Sequence, residues 1–207
     1  MEKTYPQGNS ELLSLLRTRP FDRVRAEQIL SSIEEINAPV LDEKGYSTTY
    51  LGVACDENNY DAVALLFQYG ADPNTSIPEL IPNWPLWNLQ FFAEEPSDDK
   101  IRLKIAKLFF ENGADPSLCC EGEFLYDSVV YEVYNEPGGR LWEYFIEFYK
   151  LLLAYGAVGQ EYGPPSLAEP IDKNRIEEYD IVFRKCEDGY HIEGHLISPE
   201  GRDIGIL

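Results

Sequence analysis

The chain has 207 residues, 44% hydrophobic and 13% aromatic, which is enough to fill a core and excludes an intrinsically disordered protein. Its 37 acids against 17 bases leave a formal charge of −20, a surface that repels phosphate backbones and argues against direct nucleic-acid binding. No apolar run reaches the roughly 18–20 residues of a membrane span, and Met1-Glu2-Lys3-Thr4-Tyr5-Pro6 lacks the apolar stretch of a secretory signal. The expectation is therefore a cytoplasmic protein with no membrane contact. Cys55, Cys119, Cys120 and Cys186 follow no zinc-ligand spacing and read as reduced thiols. The charge is uneven: −1 over residues 1–40, −13 over 41–160 and −6 over 161–207. Such a surface either steers a basic partner or serves only solubility.

Helical signals begin at Ser10-Glu11-Leu12-Leu13-Ser14-Leu15-Leu16 and resume over residues 26–36, a first expected helix pair. Its end, Ile33-Glu34-Glu35-Ile36-Asn37-Ala38-Pro39, is the weakest copy of a pattern that recurs downstream, with Asn37 standing in for a left-handed glycine cap. Glu34 lies where later copies hold Phe or Leu, which suits a terminal repeat with a wet outer face.

The second pair opens at Thr49-Tyr50-Leu51-Gly52-Val53-Ala54 and ends at Leu65-Leu66-Phe67-Gln68-Tyr69-Gly70-Ala71-Asp72-Pro73-Asn74. The third runs from Trp84-Pro85-Leu86-Trp87-Asn88-Leu89 to Leu108-Phe109-Phe110-Glu111-Asn112-Gly113-Ala114-Asp115-Pro116-Ser117. The fourth runs from Glu123-Phe124-Leu125-Tyr126-Asp127-Ser128 to Leu151-Leu152-Leu153-Ala154-Tyr155-Gly156-Ala157. Gly70, Gly113 and Gly156 lie 43 residues apart in both steps. Adjacent apolar pairs four residues apart, such as Ala62, Val63, Leu66 and Phe67, make a stripe broad enough to face a neighbour on each side. Glycine then ends the helix because it takes positive φ without a Cβ clash, and Asp-Pro turns the chain away. Leu51 to Gly70 is 19 residues, whereas Leu86 to Gly113 is 27 and Leu125 to Gly156 is 31. The extra residues fall near 93–99 and 134–139, acidic and Pro/Gly-rich loops joining lengthened helices.

These openings and endings resemble, in order, the Thr-Pro-Leu-His-x-Ala and Leu-Leu-x-x-Gly-Ala-Asp motifs of the ankyrin-repeat family, most closely in the second copy. The resemblance covers residues 10–160 and implies a mainly α fold, an ankyrin-repeat solenoid of about four helix pairs. The repeats fall near 10–40, 41–74, 75–117 and 118–160. It also implies a concave binding surface made of the hairpin-loop tips and the first helix of each pair. The matching segments, 42–50, 75–87 and 117–126, carry Tyr46, Tyr50, Trp84, Trp87 and Tyr126 among Glu79, Glu121 and Glu123. Aromatic anchors in an acidic frame fit a basic protein partner. For Trp84 and Trp87 a core position is the open alternative, and Leu86 and Leu125 are expected core.

Residues 161–207 differ. Tyr162-Gly163-Pro164-Pro165 starts an irregular connector, followed by strand signals at 180–186 and 190–197 around Glu187-Asp188-Gly189, with a short third strand near 203–207. A hairpin alone is marginal in water, so a small C-terminal β-hairpin cap packed on the last helix pair is expected. On its second strand, His191, Glu193 and His195 share one face and form the one candidate metal set; the competing reading is a solvated face opposite buried Ile192 and Leu196. Glu94, Glu95, Asp98 and Asp99 lack the spaced ligands and central glycine of a calcium loop. No phosphate loop or nucleophile elbow is present in the sequence.

The expected function is a non-catalytic protein–protein interaction module that needs no cofactor and is not an enzyme. It would bind a basic protein partner through an acidic, aromatic-rich concave face. Short acidic bacterial ankyrin proteins of this look include immunity proteins that neutralise nucleases, which makes an immunity or inhibitor role the sharper form of that expectation. The alternative is a metal-binding protein or metal-dependent enzyme using His191, Glu193 and His195.

Overall fold

The computed structural model describes residues 5–77, 84–90, 95–120, 122–135, 139–162, 165–186 and 192–207. It divides into two compact units, Met1–Ala114 and Asp115–Leu207.

In the first unit, short helices begin where a side-chain oxygen caps an orphan amide. Asn9 caps α1 (Ser10–Leu16), Asp22 caps α2 (Arg23–Leu30), Thr49 caps α3 (Tyr50–Asp56) and Asn59 caps α4 (Tyr60–Gln68). A two-stranded hairpin, β1 (Val40–Leu41) with β2 (Ser47–Thr48), precedes α3. The one-turn helix α5 (Pro85–Asn88) and the long α6 (Pro96–Glu111) follow. Pro96 in the first turn of α6, with Asp98 and Asp99, suits both the missing amide donors and the helix dipole. The packing order is α1 on α2 and α3, α3 on α4 and α5, and α4 on α2 and α6. Asn59 also donates to Leu16 O and Thr18 O, so the cap of α4 ties down the end of α1.

The glycine turns take the conformation expected of them. Gly70, Gly113 and Gly156 have φ of 86°, 89° and 77°. The following amides of Ala71, Ala114 and Ala157 donate back to Leu66 O, Phe109 O and Leu152 O, closing the helix ends. A side-chain rung joins each turn to the one before it. Asn37 donates to Gly70 O and accepts from Asp72 N; Asn74 donates to Gly113 O; Ser117 Oγ accepts from Val158 N. Asn37 is therefore a rung and not a helix cap. Its helix, α2, ends at Leu30 with Ser31 as a right-handed cap, and Asn58 is the non-glycine residue of positive φ among those described. The isoleucine–glutamate pattern at 33–36 imitates a helix end nearly two turns too late.

The second unit holds a hairpin of β3 (Cys119–Cys120) with β4 (Glu123–Phe124), then α7 (Leu125–Asn135) and α8 (Gly139–Ala154), packed together. Four antiparallel strands follow: β5 (Ser166–Leu167), β6 (Asp180–Lys185), β7 (Ile192–Ile197) and β8 (Asp203–Ile206), in spatial order β5-β8-β7-β6. Phe183 of β6 stacks edge-on against Tyr134 of α7 (5.4 Å, 87°) and beside Trp142 of α8 (5.6 Å). The Tyr134 hydroxyl accepts from Gly194 N and donates to Leu207 O. Lys150 of α8 is buried; it donates to Tyr179 O and pairs with Glu147 at 2.7 Å, which holds the segment before β6 against the helix.

The fold is thus mixed α/β, which corrects the expected mainly α solenoid of four helix pairs with a hairpin cap. Eight helices among the described residues range from one turn to 16 residues, and three antiparallel sheets accompany them. The C-terminal element is a four-stranded sheet. Its extra strand, β5, is two residues inside the Pro-rich connector, too short to show any alternation. The expected loops are corrected where they are described: 96–99 form the first turn of α6, 134–135 end α7 and Gly139 opens α8, while 93–94, 136–138 and the turn Glu187-Asp188-Gly189 lie outside the described residues. Cys55 and Cys120 are buried thiols, Cys119 is exposed, and no disulfide joins the four.

Tyr126 and Tyr149 meet inside this unit, hydroxyl to hydroxyl at 3.1 Å. Burial, then the neighbouring Tyr126, pushes the Tyr149 phenol far above the usual tyrosine range, and burial raises Tyr126 as well. In the unfolded chain both ionise near pH ~10, while the folded state keeps them neutral. Their contribution is whole below that pH and is lost as pH climbs beyond it. Thermal melts taken from roughly pH 9 to 11 should fall steeply at the alkaline end, and Tyr149→Phe should flatten the fall. An unchanged slope in the variant would contradict the buried pair.

Candidate protein-binding surface

The β1–β2 hairpin is braced from below. Asp42, buried, accepts through one carboxylate oxygen from the amides of Lys44 and Tyr46, making a tight Asx-type turn with Gly45 at φ 83°. Those amides, first that of Tyr46, hold the Asp42 carboxyl below the ordinary carboxylate range, with Arg17 adding to the effect. Arg17 bridges Asp42 at 3.3 Å and Glu43 at 2.6 Å. Gln7 donates to Leu41 O and Asp42 O from the other side. The product is a rigid tip from which Tyr46 projects with 69% of its surface exposed, beside exposed Glu43 and Lys44.

The other expected anchors are distributed differently. Tyr50 is 3% exposed, and its hydroxyl accepts from Asn9 N at the start of α1. Trp87 is 5% exposed and Tyr126 is 1% exposed. All three are buried in their units: Tyr50 and Tyr126 are corrected as contact residues, and Trp87 takes the core position left open for it. Each sits in the first turn or two of a helix packed on a neighbour, where an aromatic ring serves the interior. Trp84 is half-buried ahead of α5, and Glu123 is exposed on β4, where Gly122 at φ 89° makes the turn. Glu79 and Glu121 lie outside the described residues.

The electrostatics of the surface follow from where the bases go. Residues 1–114 carry 18 acids and 10 bases, and residues 115–207 carry 19 and 7. Arginines are engaged within their own units: Arg19 with Asp98, Arg25 with Glu11, Arg175 with Glu178 and Glu200, Arg184 with Asp203, and Arg202 with Glu169. Locally neutralised bases leave the field around both units to the excess carboxylates.

On the C-terminal sheet, His195 Nδ1 faces Asp203 at 2.9 Å, and its Nε2 lies 3.9 Å from Glu193. Asp203 also receives Arg184 at 2.8 Å. His191 lies outside the described residues. Among the described residues, no group of three His, Cys, Asp or Glu side chains is placed to hold a metal ion. Strand adjacency brings Asp203 and Arg184 to His195, and nothing in the local sequence of β7 announces that.

No protein-family model matches the chain, and no curated protein sequence matches it. Among the described residues, no helix is long and apolar enough to cross a membrane.

Proposed function

We propose that this protein is a non-catalytic binding module for a basic protein partner, acting in the cytoplasm without a cofactor, with the β1–β2 tip as a central contact. The observation that carries the proposal is Tyr46. Among the described residues it is the most exposed of the large hydrophobic side chains, and it stands on a hairpin rigidified by Asp42, Arg17 and Gln7 in a chain of net charge −20. A preordered aromatic loses little entropy on docking, and the surrounding carboxylates steer a cationic surface toward it. Kinship with ankyrin-type repeats is part of the same proposal. It is supported by a hairpin before α3 and α7 and by the recurring glycine turns with their Asn and Ser rungs. An inhibitor or immunity-type role fits a partner with a basic cleft. The metal-site alternative has no comparable support: among the described residues no group of three ligating side chains is placed to hold an ion, and His191 lies outside them.

The test is affinity capture from native lysate at low and high salt, followed by titration of the captured partner with wild type and Tyr46→Ala. A basic protein is expected, with affinity falling as salt rises and falling about tenfold or more in the variant, while the variant's melting temperature is unchanged. A partner that is acidic or neutral, or binding indifferent to both salt and Tyr46, would overturn the proposal.

A further inference from the structure

The C-terminal sheet has a six-residue edge. β6 pairs with β7 on one side, and no described strand lies on the other. The direction of its free backbone groups follows from the ladder. Leu207 N donates to Gly194 O, so Gly194 turns its peptide groups toward β8, and its neighbours Glu193 and His195 turn theirs toward β6. Their partners Arg184 and Val182 therefore spend their N–H and C=O groups on β7. By alternation Ile181, Phe183 and Lys185 direct theirs to the open edge. Such an edge is a template for another strand.

The side chains on this edge specify which strand. Asp180, Val182 and Arg184 point to the outer face of the sheet, all exposed; Ile181 and Phe183 lie half-buried on the inner face. In an antiparallel self-pairing about a two-fold axis through Val182, the outer-face partners are Val182 with Val182 and Asp180 with Arg184, twice. The inner-face partners are Ile181 with Phe183, also twice. Over residues 180–184 each apolar residue meets an apolar one and each acid meets a base, while Lys185 falls opposite Tyr179 beyond the strand. A basic peptide strand would set like charges at Arg184, and an acidic one at Asp180; a second copy of this chain does neither.

We infer that β6 is a dimerisation edge, pairing antiparallel with β6 of a second copy to continue the four-stranded sheet across the two-fold axis. This is independent of the proposed partner site, which lies on another hairpin. Net repulsion between two acidic chains opposes the association, so it is measured near physiological ionic strength, where charges beyond about 8 Å are screened and the contact pairs persist.

Sedimentation velocity of the full chain over a concentration series is expected to show a reversible monomer–dimer equilibrium. Asp180→Arg, which leaves the Arg184–Asp203 pair in place, and Arg184→Asp, which gives it up, each turn both ion pairs across the axis into repulsions and should weaken the dimer about tenfold or more. The charge swap Asp180→Arg with Arg184→Asp should restore it. Ile181→Pro removes an edge amide that β7 does not use and should abolish the dimer while circular dichroism stays native. A monomer at every concentration overturns the inference. So does a dimer that ignores both Arg184→Asp and Ile181→Pro, or one that the charge swap fails to restore.

Discussion

Replacing Phe109 by alanine is expected to lower the unfolding free energy by about 3–5 kcal/mol. The ring lies near the end of α6 with no exposed surface, and it meets Phe67 of α4 edge-on at 5.1 Å and 82°. The substitution forfeits transfer free energy, opens a cavity in tightly packed surroundings and ends an aromatic pair worth about 0.5–1.5 kcal/mol beyond its area. A typical domain is stable by only about 5–15 kcal/mol, so the variant should be near the edge of folding at 37 °C. Urea unfolding followed by far-ultraviolet circular dichroism measures this as a lower midpoint with an unchanged slope. A loss below about 1 kcal/mol would mean that α6 does not pack on α4 through Phe109.

The second large effect belongs to a carboxylate. Asp127, buried in the first turn of α7, accepts hydrogen bonds from three successive amides beyond α8: Gln160 at 2.8 Å, Glu161 at 3.1 Å and Tyr162 at 3.1 Å. Alanine there leaves these donors facing a void, at a cost of about 2–4 kcal/mol. Gly159 supplies an internal control, because a Cβ added to it would collide with the Asp127 carboxylate and the Tyr126 ring. Gly159→Ala should therefore be destabilising alone, and part of that loss should vanish when Asp127 is already alanine. The double variant is expected to lose less than the two single losses combined. Strict additivity would show that the carboxylate is not seated against the 159–162 segment.

What the sequence revealed follows the range of the interactions involved. Gly70, Gly113 and Gly156 were legible because a helix end is a local event, decided by one residue's freedom at positive φ. Asn37 is not the cap, which falls nearly two turns earlier at Ser31, because its work is non-local: its bonds reach 33 and 35 residues ahead. Tyr50 and Tyr126 are buried against expectation, and Trp87 takes its core alternative, because composition identifies an aromatic residue but not the direction in which its helix presents it. Tyr46, named beside them without distinction, is exposed because it lies in the turn of the β1–β2 hairpin and not on a packed helix. The tertiary partners of His195 and the two-residue strand β5 leave no periodic trace at all.

The Asn37, Asn74 and Ser117 rungs carry a consequence for how such a chain tolerates change. They close spans of 33, 39 and 41 residues with side-chain-to-backbone hydrogen bonds, donated by Asn37 and Asn74 and accepted by Ser117. Closing the longest span instead of the shortest adds only about 0.2 kcal/mol of loop entropy. Each rung fixes which turn residues meet, and the length of chain between them is a minor cost. Insertions can accumulate between the helices, where α5–α6 and α7–α8 already differ from α3–α4, while the hairpin side of each turn keeps its place.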